Sequence, residues 1–323
     1  EAGLWSEPGV SNGVVAGYPP PRPMVIPREG YSQPGALLQF TTVYTDALSW
    51  DSLRYADFLV NTSENTTNCT YLRYDVQADR MWLRLPNDSA WRGGGTPGVA
   101  GVVRTVYATL DYGQSSVAQS GNELTVNWAF MPTRYMSGRQ HNLYLRAEDL
   151  GGLSTGWVDH GDWIINRRPM LLAPDLTNTT APSLTPLTFN PRYYDADGYA
   201  NVRVCYYAIA NTLPTGEMGA NGIFLKYDVD ENLMYLANNE GTSWGTGVTP
   251  GTVGATLSNA AVTVYIRTST VGTADVRTRL VRWRLEFKAP FAGFHRVYMR
   301  GIDLFPQADG DTGWKLKGTL TIQ

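Results

Sequence analysis

Apolar and charged residues alternate without a break along Val281-Arg282-Trp283-Arg284-Leu285-Glu286-Phe287-Lys288. A period of two describes a strand with one buried and one wet face. Leu124-Thr125-Val126-Asn127-Trp128-Ala129-Phe130 carries the same pattern, with Leu124, Val126, Trp128 and Phe130 on the buried side. Further strands are expected at 40–45, 53–60, 71–76, 80–85, 102–110, 142–147 and 162–166, each with a counterpart later in the chain, and a last one at Thr319–Ile322. Turn signals separate them, among them Gly93-Gly94-Gly95, Ser120-Gly121-Asn122, Asp195-Ala196-Asp197-Gly198 and Asn239-Glu240-Gly241. No stretch sustains a 3.6-residue apolar period with caps. The pattern predicts an all-β protein of short antiparallel strands, a β-sandwich of immunoglobulin-like type.

The strands occur twice. Arg22-Pro23-Met24-Val25-Ile26 returns as Arg168-Pro169-Met170-Leu171-Leu172, and Leu72-Arg73-Tyr74-Asp75-Val76 as Leu225-Lys226-Tyr227-Asp228-Val229. Met81-Trp82-Leu83 matches Met234-Tyr235-Leu236, Trp91 matches Trp244, and Pro97-Gly98 matches Pro250-Gly251. Tyr144, Arg146 and Asp149 fall on Tyr298, Arg300 and Asp303, and Thr155-Gly156-Trp157 on Thr312-Gly313-Trp314. The order never changes, and small loop insertions account for the drift in spacing. Two homologous β-sandwich domains are therefore expected in tandem, at 22–167 and 168–323, preceded by an N-terminal extension at 1–21.

Composition sharpens this picture. Only 17% of the 323 residues are charged and 12% are aromatic, with 33 Gly and 19 Pro, which suits a β-rich chain with many turns. A net charge of −3 argues against nucleic acid as a partner, and no apolar run is long enough for membrane insertion. Arginine dominates the basic residues, since only Lys226, Lys288, Lys315 and Lys317 are lysine. That bias suits stacked and bidentate contacts at interfaces, and equally a GC-rich genome. The chain opens on Glu1 and carries no leader, so it reads as processed or as a piece of something longer. Asn-x-Ser/Thr acceptor sites at Asn61, Asn65, Asn68, Asn87 and Asn178 point weakly to a secreted glycoprotein.

Little in the sequence carries chemistry. His141, His160 and His295 fit no zinc spacing. Gly152-Leu153-Ser154-Thr155-Gly156 matches a nucleophile elbow by letter, but a helix should follow it and a strand is expected instead. No catalytic residue, metal or cofactor is expected. Asp195, Asp197, Asp228 and Asp230 could offer oxygens to calcium, although tight turns explain them better. Tyr193, Tyr194, Tyr199, Tyr206 and Tyr207 crowd one turn and strand, either as core or as a face for sugars. Cys69 and Cys205 sit one in each half, so no bridge forms within a domain. They are free, or they pair between domains or subunits; Cys69, near a loop, is expected to be the more exposed.

Tyr227-Asp228, Met234-Tyr235-Leu236-Ala237-Asn238, Trp244, Pro250-Gly251, Phe291-Ala292-Gly293, Tyr298, Asp303 and Gly313-Trp314 together resemble an uncharacterised domain of large secreted bacterial surface proteins. The resemblance spans residues 22–323 and implies an immunoglobulin-like, surface-exposed module with no catalytic residues. Members often place one cysteine just before the Tyr-Asp step and another in a later strand; only Cys69 fits here.

Residues 1–21 lie outside the repeat yet carry Leu4, Trp5, Val10, Val14 and Val15, which have no place in either domain. Pro19, Pro20, Pro21 and Pro23 form a stiff spacer behind them. Such an arm is suited to add as a strand to a neighbouring subunit. The leading expectation is thus a subunit of an extracellular filament or surface assembly, a head-to-tail homopolymer joined through this arm. The alternatives are an adhesin module binding surface glycans, or spacer repeats of a larger cell-surface protein.

Overall fold

The computed structural model describes residues 21–323 and is all-β. Short 3₁₀ turns interrupt the strands, and no α-helix occurs among the described residues. The described residues form four sheets, and the strand order of the first two recurs in the last two, except that β7 (Trp91–Gly95) has no counterpart.

In the first half, one sheet runs β1 (Arg22–Ile26), β3 (Leu38–Thr45), β11 (Glu123–Pro132), β9 (Ala108–Asp111), β8 (Val102–Arg104), with β10 (Ser116–Ser120) also paired to β11. Its companion runs β2 (Glu29–Ser32), β13 (Val158–Ile165), β12 (Arg139–Asp149), β4 (Leu53–Asn61), β5 (Thr70–Asp75), β6 (Arg80–Arg84), β7 (Trp91–Gly95). In the second half, β14 (Met170–Leu172), β17 (Arg192–Tyr194), β24 (Thr278–Phe287), β22 (Val262–Tyr265) and β21 (Thr256–Ser258) follow the same path, with β16 (Leu187–Phe189) and β23 (Thr270–Asp275) paired to β24. The last sheet runs β15 (Thr179–Ala181), β26 (Lys315–Ile322), β25 (Gly293–Asp303), β18 (Val202–Ala210), β19 (Ile223–Asp228), β20 (Leu233–Leu236). In each half one short early strand pairs in parallel with the final strand, β2 with β13 and β15 with β26.

The chain divides into two compact units. The first holds the described residues up to Arg28, with Leu37–Met131 and Asn142–Gly161; the second holds Glu29–Ala36, Pro132–His141 and Asp162–Gln323.

In the first unit the alternation of β3 and β11 drives Phe40, Tyr44, Trp128 and Phe130 inward, all buried. Phe58 of β4 meets Phe40 edge-on at 5.3 Å and Phe130 at 6.1 Å, so the two sheets close on one aromatic core. Burying such rings supplies the main favourable term of folding. The Tyr44 hydroxyl donates across the core to the Asp57 carbonyl at 2.9 Å. The strand expected at 102–110 is instead the hairpin β8–β9. Thr105 breaks it, its hydroxyl accepting from the N–H groups of Tyr107 and Ala108.

The second unit repeats the scheme. Val281, Trp283, Leu285 and Phe287 of β24 are fully buried, while Arg282 is exposed and Arg284 half-buried, as their alternation requires. Facing them across the core are Cys205, Tyr207, Ile209, Leu225, Val297 and Met299. The Tyr193 hydroxyl donates to the Tyr206 carbonyl at 2.8 Å, the same thirteen-residue span as Tyr44 to Asp57. His141 and His295 likewise each place Nε2 on a nearby carbonyl, Met136 and Phe291.

Candidate functional site

Leu4, Trp5, Val10, Val14 and Val15 lie outside the described residues. What the structure does place is the surface such an arm would need. β1 ends one sheet of the first unit and β14 one sheet of the second. Each is paired on one side only among the described residues, β1 with β3 and β14 with β17. Within each strand the buried residue, Val25 or Leu171, turns into the core. The residues on either side turn outward, leaving Met24 38%, Ile26 55%, Met170 57% and Leu172 37% exposed. Met24 and Ile26 hold the same positions in the repeated pentapeptide as Met170 and Leu172. Behind Met24 the outward row continues across the sheet through Val43, Thr125 and Ala118. Open main-chain groups beside outward apolar side chains are what an added strand requires.

The opposite outer faces are closed. On β4 every residue from Ala56 to Asn61 is buried, although only alternate ones face the core. Asp57 turns outward and is held by Arg73 (Nε–Oδ1 2.7 Å), by Arg146 (Nη2–Oδ2 2.8 Å) and by the Tyr71 hydroxyl (3.0 Å). Trp91 and Trp157 stand edge-on to Tyr71 at 4.7 and 5.2 Å. The guanidinium groups of Arg73 and Arg146 lie over Trp91 and Trp157, at 4.5 and 5.2 Å. Burial first, then the Asp57 charge, pushes the Tyr71 hydroxyl well above its ordinary value. In the second unit Tyr206, Phe224 and Tyr298 form the equivalent layer under Trp244 and Trp314. Glu217 accepts from the Tyr206 hydroxyl and from Trp244 Nε1, each at 3.0 Å, and Arg300 pairs with Asp311. Sequence reasoning matched these tryptophans as repeat markers without seeing that Trp91 and Trp157 roof a buried ion pair.

The remaining candidates separate clearly. Cys69 and Cys205 are both free and buried, so neither bridges domains within the chain. Cys69 is not the exposed thiol expected of its loop. It packs with Leu59, Tyr71 and Tyr144 and donates to the Thr66 carbonyl, and burial pushes it up to about 12. Burial likewise raises Cys205, so both thiols stay protonated and poor nucleophiles. Asn65, Asn68, Asn87 and Asn178 are exposed. Asn61 is buried and its amide nitrogen donates to the Asn65 carbonyl at 2.6 Å. Ser154 sits in the turn between β12 and β13, its hydroxyl accepting from the Gly156 N–H.

The four aspartates do not converge. Asp195 and Asp228 cap their own turns, accepting from the N–H groups of Asp197 and of Asp230 and Glu231. Asp197 accepts from the Ser137 hydroxyl and the Arg167 N–H, and Asp230 pairs with Arg203. No group of three or more His, Cys, Asp or Glu among the described residues is arranged to hold a metal ion. Of the five crowded tyrosines, Tyr193, Tyr206 and Tyr207 are buried, whereas Tyr199 is 38% exposed. No helix among the described residues is long and apolar enough to cross a membrane. Compared with known proteins, the chain matches no protein-family model and no curated protein.

Proposed function

We propose that this chain is a structural subunit of an extracellular or cell-surface assembly, made of two immunoglobulin-like sandwiches that span about 22–167 and 168–323. Subunits join head to tail when the apolar arm of one, with Leu4, Trp5, Val10, Val14 and Val15, adds as a strand to an open sheet edge of the next. One observation carries this reading. β1 and β14, at matching places in the repeat, are edge strands that present outward apolar side chains. The immunoglobulin-like assignment draws support from the twice-used strand order, from the parallel pairing of an early strand with the last, and from the matched tyrosine hydrogen bonds. A contact of this heterologous kind closes into a ring or propagates as a fibre, depending on its rotation.

The test is electron microscopy of the full chain beside a variant lacking residues 1–18. Fibres or ordered arrays are expected from the full chain only, with the truncated protein folded and monomeric. Equal assembly of both proteins would overturn the arm as the joint.

A further inference from the structure

We infer that the second β-sandwich carries a binding site for an acidic saccharide, with Arg279 as the group that reads its carboxylate. This goes beyond the assembly reading and stands or falls separately from it.

Arg279 occupies an improbable place. On β24 the inward residues run 279, 281, 283, 285 and 287, so the guanidinium stem enters the same face as Val281 and Trp283. Arg279 is 8% exposed. It pairs in register with Tyr193, as Leu124 of β11 pairs with Tyr44, so the first half of the chain has a fully buried leucine at the equivalent position. The frame therefore does not need a charge here. Burying one is costly unless it is paired. Yet no ion pair among the described residues includes Arg279. Its Nη2 donates to the Tyr199 carbonyl at 3.2 Å, its Cζ lies 5.4 Å from the Tyr199 ring centre, and its buried Nε has no acceptor. Asp228, which together with Arg279 acts on Tyr227, spends Oδ1 on the turn N–H groups of Asp230 and Glu231, and Oδ2 lies 3.9 Å from Lys226. A five-donor fork held in place and left without an anion is poised for one from outside.

The surroundings say what kind. Arg279 lines an open cavity of about 560 Å³ whose wall also includes Tyr199, Tyr227, Asn232, Thr270 and Thr273. That volume lies within the range of small-ligand sites. The Tyr227 hydroxyl donates to Asn232 Oδ1, which leaves the Asn232 amide hydrogens for a ligand. Thr270 and Thr273 are exposed on β23 and offer hydroxyls at the rim. An aromatic ring for the C–H face of a sugar, amide and hydroxyl groups for its hydroxyls, and a guanidinium for its carboxylate describe a hexuronic acid residue. A bare inorganic anion would use only the last. By contrast, the cavity beside His295 rests on a feature of the shared frame, because His141 makes the same carbonyl contact and also leaves Nδ1 without a partner.

The experiment is calorimetric titration of the full chain with glucuronate, run beside glucose and acetate. Saturable binding of glucuronate is expected, weakened about tenfold or more when either the carboxylate (glucose) or the sugar (acetate) is missing. Arg279→Leu, which installs the side chain used in the first half, should lose glucuronate binding by a similar factor while keeping its fold. Should that variant not fold, amide chemical-shift mapping on the unmodified protein decides the matter, with changes expected at Thr270, Gly272 and Thr273. No saturable binding below about 50 mM, or shift changes centred elsewhere, overturns the site. Equal binding of acetate overturns the saccharide class and leaves a peptide carboxylate as the ligand, and equal binding of glucose overturns the role of Arg279.

Discussion

Trp128 and Trp283 fill equivalent core positions but settle their indole N–H groups differently. Trp128 Nε1 donates to the Thr42 hydroxyl at 2.8 Å, whereas Trp283 Nε1 is buried with no acceptor. Truncating Trp283 to alanine should cost about 3–5 kcal/mol, as for any large buried aromatic. Phenylalanine at the two sites should diverge. Trp283→Phe removes an unpaired donor, while Trp128→Phe breaks a buried hydrogen bond and leaves the Thr42 hydroxyl only its own donation to the Val126 carbonyl, an added penalty of about 0.5–1.5 kcal/mol. Denaturant unfolding of both variants measures the difference, and equal losses would contradict the assignment. A second residue-scale effect concerns pH. Burial raises the Asp195 carboxyl to about 7 in the folded chain, and its Oδ2 has no partner. Between its unfolded value near 4 and about 7, the folded state binds the extra proton, so Asp195 stabilises at low pH and that stability is lost as pH rises through 7. The buried His141 and His295 act with the opposite sign, since their lowered values favour unfolding as pH falls below about 6.5. Asp195→Asn should therefore melt higher than the parent at pH 8 and converge with it near pH 4. A gap of equal size at both pH values would show that the carboxyl is not held protonated.

Among elements, β4, β5 and β12 share the most demanding polar arrangement. Asp57 of β4 bridges Arg73 of β5 and Arg146 of β12 beneath Trp91 and Trp157. Asp57→Ala would leave two guanidinium groups facing each other under that roof, a loss on the order of 3 kcal/mol, because removing one partner of a buried ion pair exposes its desolvation cost. Thermal unfolding with Arg73→Met added to the same chain should recover part of the loss; no recovery would place the cost in packing instead. This arrangement also marks how far the sequence could be read. Strands such as β24 were legible because one face is wet, and the alternation of Trp283 with Arg282 and Arg284 passes directly into burial. β4 was legible as a strand but not in its facing, since Asp57 and Leu59 are buried by long side chains from neighbouring strands, which no local period reports. Thr105, one hydroxyl turned onto two N–H groups, was enough to split an expected strand. Arg279 stayed hidden for a related reason. Beside Thr278 and Arg277 it reads as the polar end of a strand, and only register with Tyr193 turns it inward.

At the scale of the whole molecule, the proposed assembly turns on which open edge would receive the arm. In the sequence, four prolines within positions 19–23 stand at the start of β1, which begins at Arg22, and prolines disfavour a tight hairpin back onto that strand. In the proposed assembly the arm would go to another copy, where β1 and β14 offer matching apolar edges. Lysine at such a position is well suited to block strand addition, since natural edges are guarded by the same device. Because Ile26 and Met170 are more than half exposed, replacing either with lysine should change folding stability by no more than about 0.5 kcal/mol. Assembly should respond unequally. If β14 is the acceptor, Met170→Lys abolishes the polymer while Ile26→Lys leaves it intact, and the reverse holds for β1. Sedimentation of the two variants, mixed in turn with a chain lacking residues 1–18, identifies the edge in use. In the proposed assembly the truncated chain would accept an arm but not donate one, so it should cap growing polymers and shorten them in proportion to its share. Polymers unaffected by either lysine and by the capping chain would place the joint away from both edges.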